Sequence, residues 1–241
     1  LRNLDTFTAA GSTVRLDGAA AQSLWSAGYT FIDIEFNGAG ITLEDALDVD
    51  GNLTIGAGGS LDAAGFQMNV AGNWTDNGSY THNNNRVIFD GTGAITTVET
   101  FWELEKAGGT TTLQAGAADI TIEKGLFLSS GTLAASDNTI TLSGNLFDSD
   151  GTGDGAAGTF TGTFSRGTST VELTNSGTSR LYGSNTFYDF TCTTAGATIL
   201  FQIDELQVFE NFTTISTDGG QEIELGNETG FVDPPDPVPA S

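Results

Sequence analysis

The sequence predicts an all-β fold: a single-stranded parallel β-helix (β-solenoid) of about twelve coils in three internal repeats, ending in a Pro-rich tail. Three observations predict it. All four prolines lie at the end, at Pro234, Pro235, Pro237 and Pro239. Proline has no N–H to give to a sheet ladder, so a long proline-free body fits a chain that is paired nearly everywhere. Short stretches separated by glycine-rich turns alternate apolar and polar residues, as in Thr13–Leu16, Phe31–Phe36, Leu47–Asp50 and Ile140–Leu142. That is the period of a strand with one buried face. Finally, the same blocks recur three times in the same order.

The first block is a small residue, an aromatic and a hydroxyl: Thr6-Phe7-Thr8, Ser79-Tyr80-Thr81 and Thr163-Phe164-Ser165. A valine follows each aromatic seven residues later, at Val14, Val87 and Val171. The second block opens at Thr30-Phe31, Thr100-Phe101 and Thr186-Phe187. The third places apolar residues at Leu47, Val49, Leu53 and Ile55, then at Ile120, Ile122, Leu126 and Leu128, then at Leu206, Val208 and Phe212. The fourth is Val70–Trp74, Leu142–Leu146 and a shortened Leu225-Gly226-Asn227. The body is residues 1–232, with repeats of about 5–78, 79–158 and 159–230, and the tail is 233–241. Segments of roughly 19 residues are too short for domains and match single coils, whose inward side chains stack into apolar columns. An antiparallel sandwich is the competing fold, and the scarcity of hairpin signals disfavours it.

Composition narrows the function. The chain has 31 acidic and 7 basic residues, a net charge of −24. Nucleic acid and anionic lipid would repel it. No long apolar run spans a membrane. One His and one Cys exclude a disulfide within the chain and a zinc centre built from these residue types. Leu1 in place of a starting Met predicts a processed chain or a fragment.

Asp148, Asp150 and Asp154, alternating with glycines in the insertion from Phe147 to Gly158, form the candidate metal site. Carboxylates at this spacing present several oxygens to a hard cation such as Ca2+, although no Glu completes a full calcium loop. No cofactor is required. Asn52, Asn73, Asn145 and Asn227 follow glycine at recurring block positions and suit coil corners. Asn52, Asn73, Asn211 and Asn227 also begin Asn-x-Ser/Thr sequons, so glycosylation is the alternative reading. Asp33, Glu35, Asp48, Asp50, Glu103 and Glu105 alternate with apolar residues and are expected to face solvent. Trp74 and Trp102 are the aromatics expected to be exposed if glycans bind. His82 lies in a polar turn, and Cys192 alternates with apolar positions.

The motifs Thr186-Phe-Tyr-Asp189, Val49–Thr54 and Gly72-Asn-Trp-Thr75 resemble the long repeats of bacterial secreted and cell-surface proteins, broadly similar to filamentous-haemagglutinin and autotransporter-passenger parallel β-helices. The resemblance covers residues 5–230. It implies an extracellular or cell-surface location and a role in adhesion or surface structure, and no catalytic residues come with it. The expectation is a non-enzymatic structural protein that assembles head to tail with copies of itself. Asp233, Pro234, Pro235, Asp236 and Pro237 would reach a neighbouring subunit. An adhesin or carbohydrate-binding module with glycan partners is the alternative.

Overall fold

The computed structural model describes residues 11–151, 160–202, 206–214 and 222–225, with side chains described through Phe201. The chain winds as a parallel β-solenoid of about nine turns. Each lap lays down three short strands. The first comprises β1 (Thr13–Leu16), β2 (Gln22–Leu24) and β3 (Thr30–Phe31), the second β4 (Asp33–Phe36), β5 (Ile41–Leu43) and β6 (Leu47–Val49). The third is β7 (Leu53–Ile55), β8 (Ser60–Asp62) and β9 (Met68–Val70), the fourth β10 (Trp74–Asp76), β11 (Ser79–Thr81) and β12 (Arg86–Phe89). After β13 (Gly93–Ile95), the strands β14 (Glu99–Leu113) and β15 (Ile120–Ala134) run on around corners and serve all three faces. They are followed by β16 (Thr139–Leu142), β17 (Leu146–Asp148), β18 (Thr163–Ser165), β19 (Thr170–Leu173), β20 (Thr178–Tyr182), β21 (Asn185–Cys192), β22 (Thr198–Gln202), β23 (Leu206–Thr214) and β24 (Glu222–Leu225).

Every strand pairing among the described residues is parallel, and the partner lies one lap on. Val14 pairs with Ile34, Ile34 with Leu53, Leu53 with Trp74 and Trp74 with Ile95. At about 4.8 Å between strands, nine turns make a column roughly 45 Å long. Period two turns each lap's apolar residues inward, where they stack. One column runs Phe31, Val49, Val70, Phe89, Lys106, Leu128. Another runs Phe101, Ile122, Leu142, Leu173, Cys192. Cys192 is therefore an inward packing residue. Asp33, Glu35, Asp48, Glu103 and Glu105 stand on the outer surface of the same strands.

The expected twelve coils are about nine, and two features account for the difference. Thr132 pairs with Thr163, so the segment between β17 and β18 lengthens one lap without adding a strand. The sequence repeat is also not a whole number of turns. Val14, Val87 and Val171 fall on β1, β12 and β19, which belong to three different ladders. Val87 lies eleven strands beyond Val14. With three strands per lap, each copy starts one face behind the last. Phe31, Phe101 and Phe187 step around the faces in the same way. Every face wants the same alternation, so a block can move to another face without loss.

Corners are built from close stacking. Gly72 donates its amide to the Gly51 carbonyl at 2.8 Å, and a Cβ on Gly72 would lie 2.5 Å from that oxygen. Only glycine lets adjacent laps approach this closely.

Candidate functional site

The polar features of this solenoid concentrate where the side-chain pattern departs from simple alternation. The first is internal. Trp74 fills the fourth lap with no exposed surface and meets Tyr80, Phe89 and Phe101 edge to face, with centroids 4.9, 6.3 and 5.4 Å away. Its indole N–H needs an acceptor inside the core. Glu99 of the next lap supplies it: Nε1 donates to Oε2 at 2.9 Å, and Oε1 accepts the Thr100 amide at 2.8 Å. Glu99 pairs with Ile120, so it stands on an inward column otherwise apolar. It is 8% exposed, and burial pushes its carboxyl up to about 7. Asp76 of the neighbouring lap hydrogen-bonds it, and burial raises the Asp76 carboxyl as well, so the pair holds its proton on Glu99. Tyr80 is anchored in turn by donating to Asn85 Oδ1 at 2.7 Å.

Lys106 is the second departure. It occupies an inward column between Phe89 and Leu128 and is fully buried. Its ammonium donates to the carbonyls of Phe89 (2.6 Å), Gly91 (3.0 Å) and Gly108. Burial pulls it down to about 8, opposed by the charge of Asp90. Three carbonyls at one corner take the place of a counter-ion, and the side chain ties two laps together there.

Outside, Arg86 bridges Glu103 and Glu105 at 2.8 and 3.0 Å and lies 4.3 Å over the Phe127 ring. Glu105 also accepts the Ser129 hydroxyl. Phe127 faces outward by alternation, yet it is only 2% exposed. On the edge between the second and third faces, His82, Trp102 and Glu123 come from successive laps. His82 stacks on Trp102 with centroids 6.0 Å apart and contacts Glu123 through Nε2 at 3.2 Å. Beginning at Glu123 and running on along the same edge lies a groove of about 450 Å³, lined by Glu123, Lys124, Asn145, Asn175, Thr178 and Arg180 among others.

The residues singled out from the sequence are distributed as follows. Asn52 and Asn73 sit at stacked corners between the third and first faces. Asn52 Oδ1 accepts the Asn73 amide at 2.9 Å, Asn73 Oδ1 accepts the Ala94 amide at 2.8 Å, and Asn52 Nδ2 donates to Asp33 at 3.0 Å. Asn145 lies at a different corner, between β16 and β17, and lines the groove. Asp148 is fully buried, and its Oδ1 accepts the Asp150 and Gly151 amides at 3.1 and 2.8 Å. Asp150 is half-buried beside it. Asp154, Asn227 and the tail residues Asp233, Pro234, Pro235, Asp236 and Pro237 lie outside the described residues, and of Asn211 only the strand backbone is described. Among the described residues no group of three His, Cys, Asp or Glu is placed to hold a metal ion, and no helix is long and apolar enough to cross a membrane. Of the two aromatics expected to be exposed, Trp74 is wholly buried and Trp102 faces outward.

Glu99, Lys106, Lys124 and Arg180 were not among the residues singled out. For the first two a signal existed. Glu99 is two residues before Phe101, and Lys106 two after Leu104, so alternation already placed both inward. The two groove cations had no such signal, because corners bring them together across laps.

No family model, curated protein or solved structure matches the chain.

Proposed function

We propose that this chain is a non-enzymatic structural module of an extracellular or cell-surface protein, associating end to end with copies of itself into a filament or layer. The observation that carries this reading is the parallel ladder itself. A column whose described strands pair in parallel with the laps above and below is a ladder that the opposite edge of another copy can continue, head to tail. The net charge of −24 works in the same direction. It repels copies side by side along the acidic flanks and leaves the small end surfaces as the contact. The tail residues Asp233–Pro237 would connect one copy to the next. Divalent cations such as Ca2+, taken up by the acidic flanks or by the Asp148–Asp154 segment, would relieve the repulsion between stacked carboxylates. The resemblance of the Thr-Phe-Tyr-Asp and Gly-Asn-Trp-Thr motifs to repeats of bacterial surface proteins supports the location.

Negative-stain microscopy and light scattering of the purified chain, with calcium and with a chelator, test the reading. The expected result is elongated polymers that lengthen in calcium and shorten when residues 233–241 are deleted. Strictly monomeric protein at high concentration in calcium overturns it.

A further inference from the structure

A chain with 31 acids and 7 bases gives every cation a surplus of partners. Arg15 pairs with Glu35, and Arg86 with Glu103 and Glu105. Lys106 is buried on backbone carbonyls, Arg166 lies against Tyr188, and Arg2 is outside the described residues. Lys124 and Arg180 are different. Among the described residues neither side chain makes an ion pair or a hydrogen bond, and both line the same groove. Glu123, the acid in that lining, contacts His82 at 3.2 Å. Two cations without an intramolecular partner, lining one groove of so acidic a molecule, make a local positive spot where a single anionic group can be held.

The groove is also built. Lys124 and Arg180 stand two laps apart on one edge, about 10 Å along the column axis, with Asn145 on the lap between. The Asn145 amide donates to the Lys124 carbonyl at 3.3 Å, and the Arg180 amide donates to the Asn145 carbonyl at 2.9 Å, which locks the three laps. Asn175 is held by accepting the Gly177 amide at 3.1 Å and donating to the Thr178 carbonyl at 3.3 Å. The Asn145 side-chain amide has no partner among the described residues.

We infer that this groove binds a monoanionic sugar: one carboxylate or sulfate held between Lys124 and Arg180, with ring hydroxyls on Asn145 and its polar neighbours. The volume of about 450 Å³ falls within the usual ~300–1,000 Å³ of small-ligand sites. The lining consists of amides, hydroxyls and charges with no aromatic side chain, which suits hydroxyl-bearing rather than apolar ligands. A surrounding charge of −24 disfavours phosphate dianions and polyanions more than a single anionic group. The inference is independent of end-to-end association, because the groove lies on the flank of the column.

Isothermal titration with glucuronate, glucose 6-sulfate, glucose and sodium sulfate tests it on the full chain, alongside Arg180→Gln and Lys124→Gln. Both substitutions replace side chains without intramolecular partners, and circular dichroism checks the fold. The expected result is saturable binding of glucuronate or glucose 6-sulfate, weakened about tenfold or more by either substitution, since each removes a charge-assisted hydrogen bond to the anion. Glucose binds at least tenfold more weakly, and polymer length is unchanged in the variants. The inference is overturned by equal binding of glucose, by binding that survives both substitutions, by no saturable binding of either acidic sugar, or by sodium sulfate binding as tightly as the sugars, which would mean an adventitious ion only.

Discussion

Glu99 offers the sharpest test of the core. Its carboxyl is enclosed by Trp74, Asp76 and the Thr100 amide, and it holds its proton up to about pH 7 instead of the ordinary 4.5. In the unfolded chain the proton leaves near 4.5, so between those pH values the folded state binds more protons than the unfolded state. Stability therefore falls as pH rises through this window. The full difference corresponds to roughly 3 kcal/mol, at about 1.36 kcal/mol per pH unit. Glu99→Gln removes the titration while keeping an oxygen to accept the Trp74 indole or the Thr100 amide and an N–H to donate to Asp76. Urea unfolding followed by tryptophan fluorescence at pH 5 and pH 8 measures both proteins. Wild type should lose about 2.5 kcal/mol more than the variant across that span, since part of the difference is already gone at pH 5. The variant should be the more stable protein at pH 8 and equal or slightly weaker at pH 5. Parallel pH profiles for the two proteins would refute the buried-carboxyl account, because the remaining ionisations are common to both.

Three further outcomes are expected. Lys106 releases its proton near pH 8 when folded and near 10.5 when unfolded, so the unfolded state binds more protons in between and wild-type stability should rise with pH across that window. Lys106→Met should flatten the rise in the same unfolding assay. Gly72→Ala places a methyl 2.5 Å from the Gly51 carbonyl oxygen and should destabilise by about 2–3 kcal/mol, lowering the thermal midpoint in calorimetry. Asn73→Ala removes the acceptor for the Ala94 amide and should cost about 1 kcal/mol, with faster hydrogen exchange confined to that corner.

Much of the fold was legible because a solenoid is a local pattern repeated. Alternation alone assigns Ile34, Leu53 and Ile95 inward and Glu35, Glu103 and Glu105 outward, whichever lap each belongs to. The number of turns was less legible. The repeated blocks are spaced in strands, and Val14, Val87 and Val171 land on three different faces. Trp74 illustrates the limit for sites. The glycan-binding alternative needed it exposed, but it lies one lap below Ile95 in an inward column and wears Glu99 as its cap.

The amino-acid sequence by itself determined the all-β parallel column, the inward and outward assignment of nearly every strand residue, and the acidic surface. These depend on period two, glycine corners and charge count, which are properties of near neighbours in the chain. Only the tertiary structure decided which residues meet across laps: Asp76 with Glu99, Arg86 with Glu105 and Phe127, and Lys124 with Arg180 around one groove. The reason is that such meetings depend on the accumulated length of every intervening corner. One added residue at a turn shifts the lap-to-lap register while leaving the alternation of each strand intact.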